Sequence, residues 1–82
     1  KGDYDKALEY YEKCYEIQKN AYSNINHPDI ATSLNNIGLL NQFKGDYDKA
    51  LGYFEKCYEI EKVIYVNNIN HPSIATSLNN IG

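Results

Sequence analysis

An internal repeat constrains this chain more than any other feature, because a missed repeat misassigns the whole fold. Residues 1–22 align with residues 44–65 at an offset of 43 and are identical at 17 of 22 positions. Residues 26–38 align with residues 70–82 at an offset of 44 and are identical at 12 of 13. The one extra residue enters within Val66–Ile69, and a stretch that takes an insertion between two matched blocks reads as a loop. The chain is therefore half a unit, one whole unit and another half, with a unit of 43 to 44 residues.

Each unit holds two helical patterns. Tyr4, Ala7, Leu8, Tyr11, Cys14, Tyr15, Ala21 and Tyr22 recur mainly at spacings of three and four, as an apolar helical stripe does. Lys6, Glu9, Lys13, Glu16 and Lys19 fall mainly on the other side, with Glu9 and Lys13 a favourable i,i+4 pair. Asp3 is the expected N-cap, and Asp5 adds negative charge to the first turn. The second copy, 46–66, repeats this pattern except that Gly52 stands where Glu9 stood, at a cost of about 1 kcal/mol in helix propensity. The other helix is expected to start at Pro28, where a missing N–H and a fixed φ suit the first helical position. Its stripe is Ile30, Leu34, Ile37 and then Leu40 or Phe43, and Gly45 suits a left-handed stop. About two residues then separate it from the next helix, so the two must pack antiparallel. No segment alternates with period two for the length of a strand. The fold class is all-α: the second helix of one repeat over 3–22, a complete repeat over 28–66, and the first helix of the next over 72–82.

Composition excludes several classes. Among 82 residues the net charge is −3 and all eight basic side chains are lysines. Nucleic acid demands clustered basic groups to displace counterions, and an anionic membrane surface demands them too, so neither is an expected partner. No apolar run is long enough to span a bilayer, and no signal peptide opens the chain. Lys1-Gly2-Asp3 reads as the interior of a longer protein, with further repeats expected beyond this segment.

The residues Gly45-Asp46-Tyr47-Asp48-Lys49-Ala50-Leu51, followed by Tyr53-Phe54-Glu55-Lys56-Cys57, resemble the second helix of a tetratricopeptide repeat. Leu34, Ile37 and Gly38 fall where that family has the apolar pair and small residue of its first helix. The long unit and the phrase from Asn26 to Gly38 are similar to the kinesin-light-chain type, whose repeats run near 42 residues rather than 34. Two positions depart from the pattern. Asn41 stands where the family commonly has a packing tyrosine, and Lys19 and Lys62 replace the proline that usually ends the second helix. Losing that stop lets the helix run on, which accounts for the longer unit. The resemblance implies helical hairpins stacked as a right-handed α-solenoid, a protein-binding scaffold and no enzyme.

Residues with potential chemistry each have a structural explanation. Cys14 and Cys57 share one repeat position and read as small buried thiols. Equivalent helices of neighbouring repeats lie roughly 10 Å apart, beyond the Cα separation of under about 7 Å that a disulfide spans. Two such thiols favour a reducing, cytoplasmic compartment. His27-Pro28-Asp29 is also the signature of J-domain cochaperones, but the second copy reads His71-Pro72-Ser73 and the preceding helix is acidic. A helix start explains both copies. The two histidines are 44 residues apart without further ligands at metal spacing, so no metal or cofactor is expected. No phosphate-binding glycine loop and no nucleophile beside a base mark a catalytic site. Most of the nine tyrosines recur at core-facing helical spacing and read as packing between helices, hydroxyls outward.

Asn35-Asn36 and Asn79-Asn80 occupy mid-helix positions that propensity disfavours. The resemblance implies a concave face lined by first helices, with Thr32, Asn35, Asn36, Leu39, Gln42 and Phe43 directed into it, and Thr76, Asn79 and Asn80 in the next repeat. Amides donate and accept, so they suit the backbone of an extended peptide, while Leu39 and Phe43 offer apolar contact. The alternative is an amide ladder joining adjacent repeats. No Lys or Arg precedes Lys44 in the first helix, so a clamp for acidic C-termini is not expected. The function expected is binding of a partner protein or peptide; the competing reading is a structural module that self-associates end to end through Tyr4, Leu8 and Tyr11 at one side and Ile74, Leu78 and Ile81 at the other.

Overall fold

The computed structural model describes residues 3–66 and 71–82. These form four helices and, among the described residues, no strand: α1 (Tyr4–Ala21), α2 (Pro28–Lys44), α3 (Tyr47–Ile64) and α4 (Pro72–Ile81). Of the inserted stretch, Val66 lies in the turn after α3, and residues 67–69 lie outside the described set.

Local chemistry sets the helix ends. His27 and His71 hold extended backbone just before Pro28 and Pro72. Each Nδ1 accepts the backbone N–H two residues on, from Asp29 at 3.0 Å and from Ser73 at 3.1 Å. The histidine is thus an N-cap in both copies, standing in for the usual Ser, Thr, Asp or Asn. Asp3 and Asp46 hold the corresponding places before α1 and α3 but make no side-chain cap bond. Their backbone is not extended (ψ 0° and 70°), and an N-cap side chain bonds back from the extended region. At the far end of α2, Gly45 has φ 89°. Its N–H bonds to Gln42 O, and that of Asp46 to Asn41 O at 2.8 Å, the paired pattern that ends a helix through a left-handed residue. Two residues then suffice to start α3, which returns against α2. Beyond Lys19 and Lys62 the helices continue to Ala21 and Ile64.

Packing follows chain order, α1 on α2, α2 on α3 and α3 on α4. Flanked on both sides, α2 buries seven residues, whereas α1, with one neighbour, buries none. The core consists of Ile30, Ala31 and Leu34 of α2 against Cys57 and Ile60 of α3, with Tyr15, Tyr22, Tyr53 and Ile64 around it. Along α2 the stripe runs through Ile30, Leu34 and Ile37 to Asn41 rather than to Leu40 or Phe43. The four-residue step keeps Asn41 on the same face, where its Nδ2 donates to Ile37 O at 2.9 Å. Its amide is therefore satisfied within its own helix while buried. Phe43 instead turns toward α1 and stacks on Tyr4, ring centroids 5.8 Å apart.

One sequence expectation, that both thiols are buried, is revised here. Cys57 is buried but Cys14 is only partly so, because α3 has helices on both sides and α1 has not. None of the nine tyrosines is fully buried: six are half-buried, of which Tyr15, Tyr22 and Tyr53 pack against the core, and Tyr4, Tyr10 and Tyr47 are exposed. The large ring fits a helix interface only with its hydroxyl end toward water.

Candidate functional site

Asn35 and Asn80 meet across the gap between α2 and α4: the Asn80 Nδ2 donates to Asn35 Oδ1 at 2.7 Å. In repeat terms, Asn80 is the copy of Asn36, so the second amide of one dyad reaches the first amide of the preceding dyad. The geometry is that of a rung between successive first helices. Asn36, half-buried, and Asn79, exposed, are the outer members of the two dyads.

A crevice of about 260 Å³ lies beside this rung, lined by Thr32 and Asn35 of α2 and by Ser73, Thr76 and Ser77 of α4. Thr32 and Thr76 are exposed, and the Thr32 hydroxyl donates to Pro28 O within its own helix at 3.0 Å. Further along α2, Leu39 is half-buried and Gln42 exposed. Phe43 is 62% exposed, but one ring face is engaged by Tyr4. The nine proposed contact residues thus divide. Thr32, Asn35, Thr76 and the Asn80 rung gather at one place; Asn36, Leu39, Gln42 and Asn79 follow along the same helices; Phe43 belongs in part to the α1 junction. Lys44, the one cation of α2, pairs with Asp5 of α1 at 2.6 Å, and that carboxylate raises the ammonium pKa.

Two arrangements were missed by sequence reasoning. Tyr22 stacks on His27 with centroids 3.9 Å apart and planes 6° from parallel, and Tyr65 stacks on His71 at 3.8 Å and 11°. The Tyr22 hydroxyl also donates to Asp29 Oδ2 at 2.7 Å, which raises its own pKa. Both pairs clasp the connection between repeats, and the signal was present: Tyr and His recur at the same places in both copies. Second, Ser77 donates to Glu61 and sits 3.6 Å from Cys57 Sγ, as Ser33 donates to Gln18 Oε1 at 2.7 Å one repeat earlier. The repeated serine thus ties each first helix to the preceding second helix. Burial pushes the Cys57 thiol up to about 11, so it stays protonated and unreactive at neutral pH. Both cysteines are free. Among the described residues, no three His, Cys, Asp or Glu side chains group as metal ligands do. No helix among them is long and apolar enough to cross a membrane.

Two helix types that alternate, and that pack chiefly on their sequence neighbours, define a helical-hairpin repeat protein. A model of the tetratricopeptide repeat family matches residues 1–62, and the chain belongs to that family. Comparison with curated proteins, and with solved structures, finds no match. Tetratricopeptide repeats mediate protein–protein interaction, and the family is typically a non-enzymatic scaffold.

Proposed function

We propose that this chain binds a partner's extended peptide along the face formed by α2 and α4. The observation that carries this reading is the crevice beside the Asn35–Asn80 rung, where Thr32, Asn35 and Thr76 converge from two repeats. The rung uses one donor of Asn80 and accepts on one oxygen of Asn35. The remaining amide donors and acceptors of the two dyads are open to a peptide backbone, whose N–H and C=O groups need partners of both kinds. Leu39 supplies apolar contact, and Gln42 extends the polar row. The ladder and the peptide site are compatible, because the rung holds the helices at the spacing a bound strand would read.

The larger setting belongs to the same proposal. The segment comprises the second helix of one repeat (3–22), a complete repeat (28–66) and the first helix of the next (72–82). It forms part of a right-handed superhelical stack of the kinesin-light-chain type, working in the cytoplasm. The long unit and the Asn26-to-Gly38 phrase support that subtype.

A peptide-display selection on the chain, followed by affinity measurement, tests the binding reading. Asn36→Ala, Asn79→Ala and Thr76→Ala remove groups that make no side-chain hydrogen bond among the described residues. Each is expected to weaken a selected peptide about 5- to 10-fold, the worth of one hydrogen bond of about 1 kcal/mol. Unchanged affinity in all three folded variants would move recognition to the opposite face and end this reading.

A further inference from the structure

Residues 1–22 and 44–65 differ at five of 22 positions, and one of the five sets Gln18 against Glu61. The repeated serine holds both side chains in the same way. Ser33 donates to Gln18 Oε1 at 2.7 Å, and Ser77, 3% exposed, donates to Glu61 Oε1. A hydroxyl donor needs only an acceptor, so this tie takes an amide or a carboxylate alike. What changes between the copies is the charge of the anchored group.

Glu61 forms one wall of the crevice of about 260 Å³ between α2 and α4, and is the one ionisable side chain among its described walls. Its Oε2 accepts no hydrogen bond among the described residues. The other polar walls include Thr32, Asn35, Ser73 and Thr76. Thr32 commits its hydroxyl proton to Pro28 O, which leaves the oxygen to accept. Cations of the chain are directed elsewhere. Lys62 pairs with Glu59 at 3.4 Å and lies over the Tyr58 ring, Lys44 pairs with Asp5, and α4 has no charged side chain. The positive end of α4 opposes Glu61 with only about half a charge. One of its N–H groups, that of Ser73, is already taken by His71 Nδ1.

The crevice lies inside the repeat order, walled by three consecutive helices, α2, α3 and α4. On α4, the counterparts of the Ala31 and Leu34 that α3 covers on α2 are Ala75 and Leu78, and neither lines the crevice. A helix following α4 in the manner of α3 therefore leaves it open.

We propose that this crevice takes one Lys or Arg side chain of the bound peptide, its cation on Glu61 Oε2 and its methylene stem along Pro72. The assignment rests on the peptide-binding reading above and adds to it a required charge at one peptide position. Both cations are pure donors, and the carboxylate and hydroxyl oxygens of the walls accept. Exposed Pro72 offers the apolar surface along which such stems lie. Ser77 fixes the carboxylate before the peptide arrives, so little freedom is lost on binding.

Peptides selected on the 82-residue chain from a randomised display library test this. The binders should share a Lys or Arg at one fixed position. Replacing that residue by norleucine, which keeps the stem without the charge, should weaken binding about tenfold. Glu61→Gln reproduces the tie that Gln18 makes with Ser33, so circular dichroism and the urea midpoint should show a folded chain. It should weaken the cationic peptide by the same factor and leave the norleucine peptide unchanged, since both changes remove one interaction. A library that yields no binder ends the peptide reading and this inference with it. Binders without a fixed cation, equal affinity of the cationic and norleucine peptides for the unaltered chain, or full affinity of folded E61Q for the cationic peptide would each overturn the charge assignment alone.

Discussion

A methyl group placed on Gly38 would sit 2.6 Å from Cε1 of Phe54, well inside contact distance. Gly38 is buried on α2, and Phe54 of α3 is only 3% exposed, so the ring has nowhere to swing. The two helices approach closely because this position lacks a side chain. Gly38→Ala should therefore destabilise the chain by about 1–3 kcal/mol, the usual cost of overpacking. Phe54→Leu in the Gly38→Ala background should recover part of that loss, read as the midpoint of urea unfolding. An unaltered midpoint in the single variant would mean that the helices separate without cost.

Gly45 and Gly52 should respond to alanine with opposite signs. Gly45 has φ 89°, where a Cβ is strained although there is open space around it, so Gly45→Ala should cost about 1–2 kcal/mol. Gly52 lies inside α3 with nothing near its missing Cβ, and Gly52→Ala should gain about 1 kcal/mol from propensity alone. In a chain this small each kcal/mol moves Tm by about 4–8 °C, so thermal melts separate the pair easily.

The two thiols should differ in reactivity although their helix sequences nearly coincide. Cys57 is buried at 2% exposure and Cys14 only partly covered, so iodoacetamide should label Cys14 first and Cys57 only as the chain opens. Burial also raises the Cys57 pKa from 9.0 to about 11. In that interval the unfolded chain releases the proton and the folded chain keeps it, so stability falls as pH rises from about 9 through 11. The contribution is fully present below pH 9. Tyr53, raised by burial, and Tyr22, raised mainly by its bond to Asp29, act in the same direction at higher pH. Cys57→Ala should therefore flatten the early part of the alkaline decline relative to wild type, whatever its absolute stability. Parallel curves for the two proteins would contradict the assignment.

His27 serves α2 twice, as its cap and as the partner of the Tyr22 ring. His27→Asn keeps a cap acceptor and loses the stack, which should cost about 0.5–1.5 kcal/mol. His27→Ala loses both and should cost about 1 kcal/mol more. Chemical denaturation of the two variants isolates each contribution; equal losses would show that the cap bond contributes nothing.

What the sequence by itself determined is local and periodic. The helix order, the starts at Pro28 and Pro72, the stop at Gly45 and the run of α1 and α3 past Lys19 and Lys62 depend on nearby residues, because caps, φ preferences and i,i+4 spacing act within a turn or two. Resemblance to the tetratricopeptide repeat family was legible in the residues from Gly45 to Cys57, and the match over residues 1–62 shows the membership. What only the tertiary structure decided is how copies of one residue part company. Ile17 and Ile60 stand in almost the same local sequence, yet one is 67% and the other 7% exposed. Burial is set by what packs against a helix, and α3 has neighbours on both sides while α1 has one. The amides behave likewise. Their recurrence was visible in the sequence, but the pairing of Asn80 with Asn35, across 45 residues, exists only where α2 and α4 have been brought side by side. A hydrogen bond between side chains needs a distance and an angle, and those are properties of the packed helices.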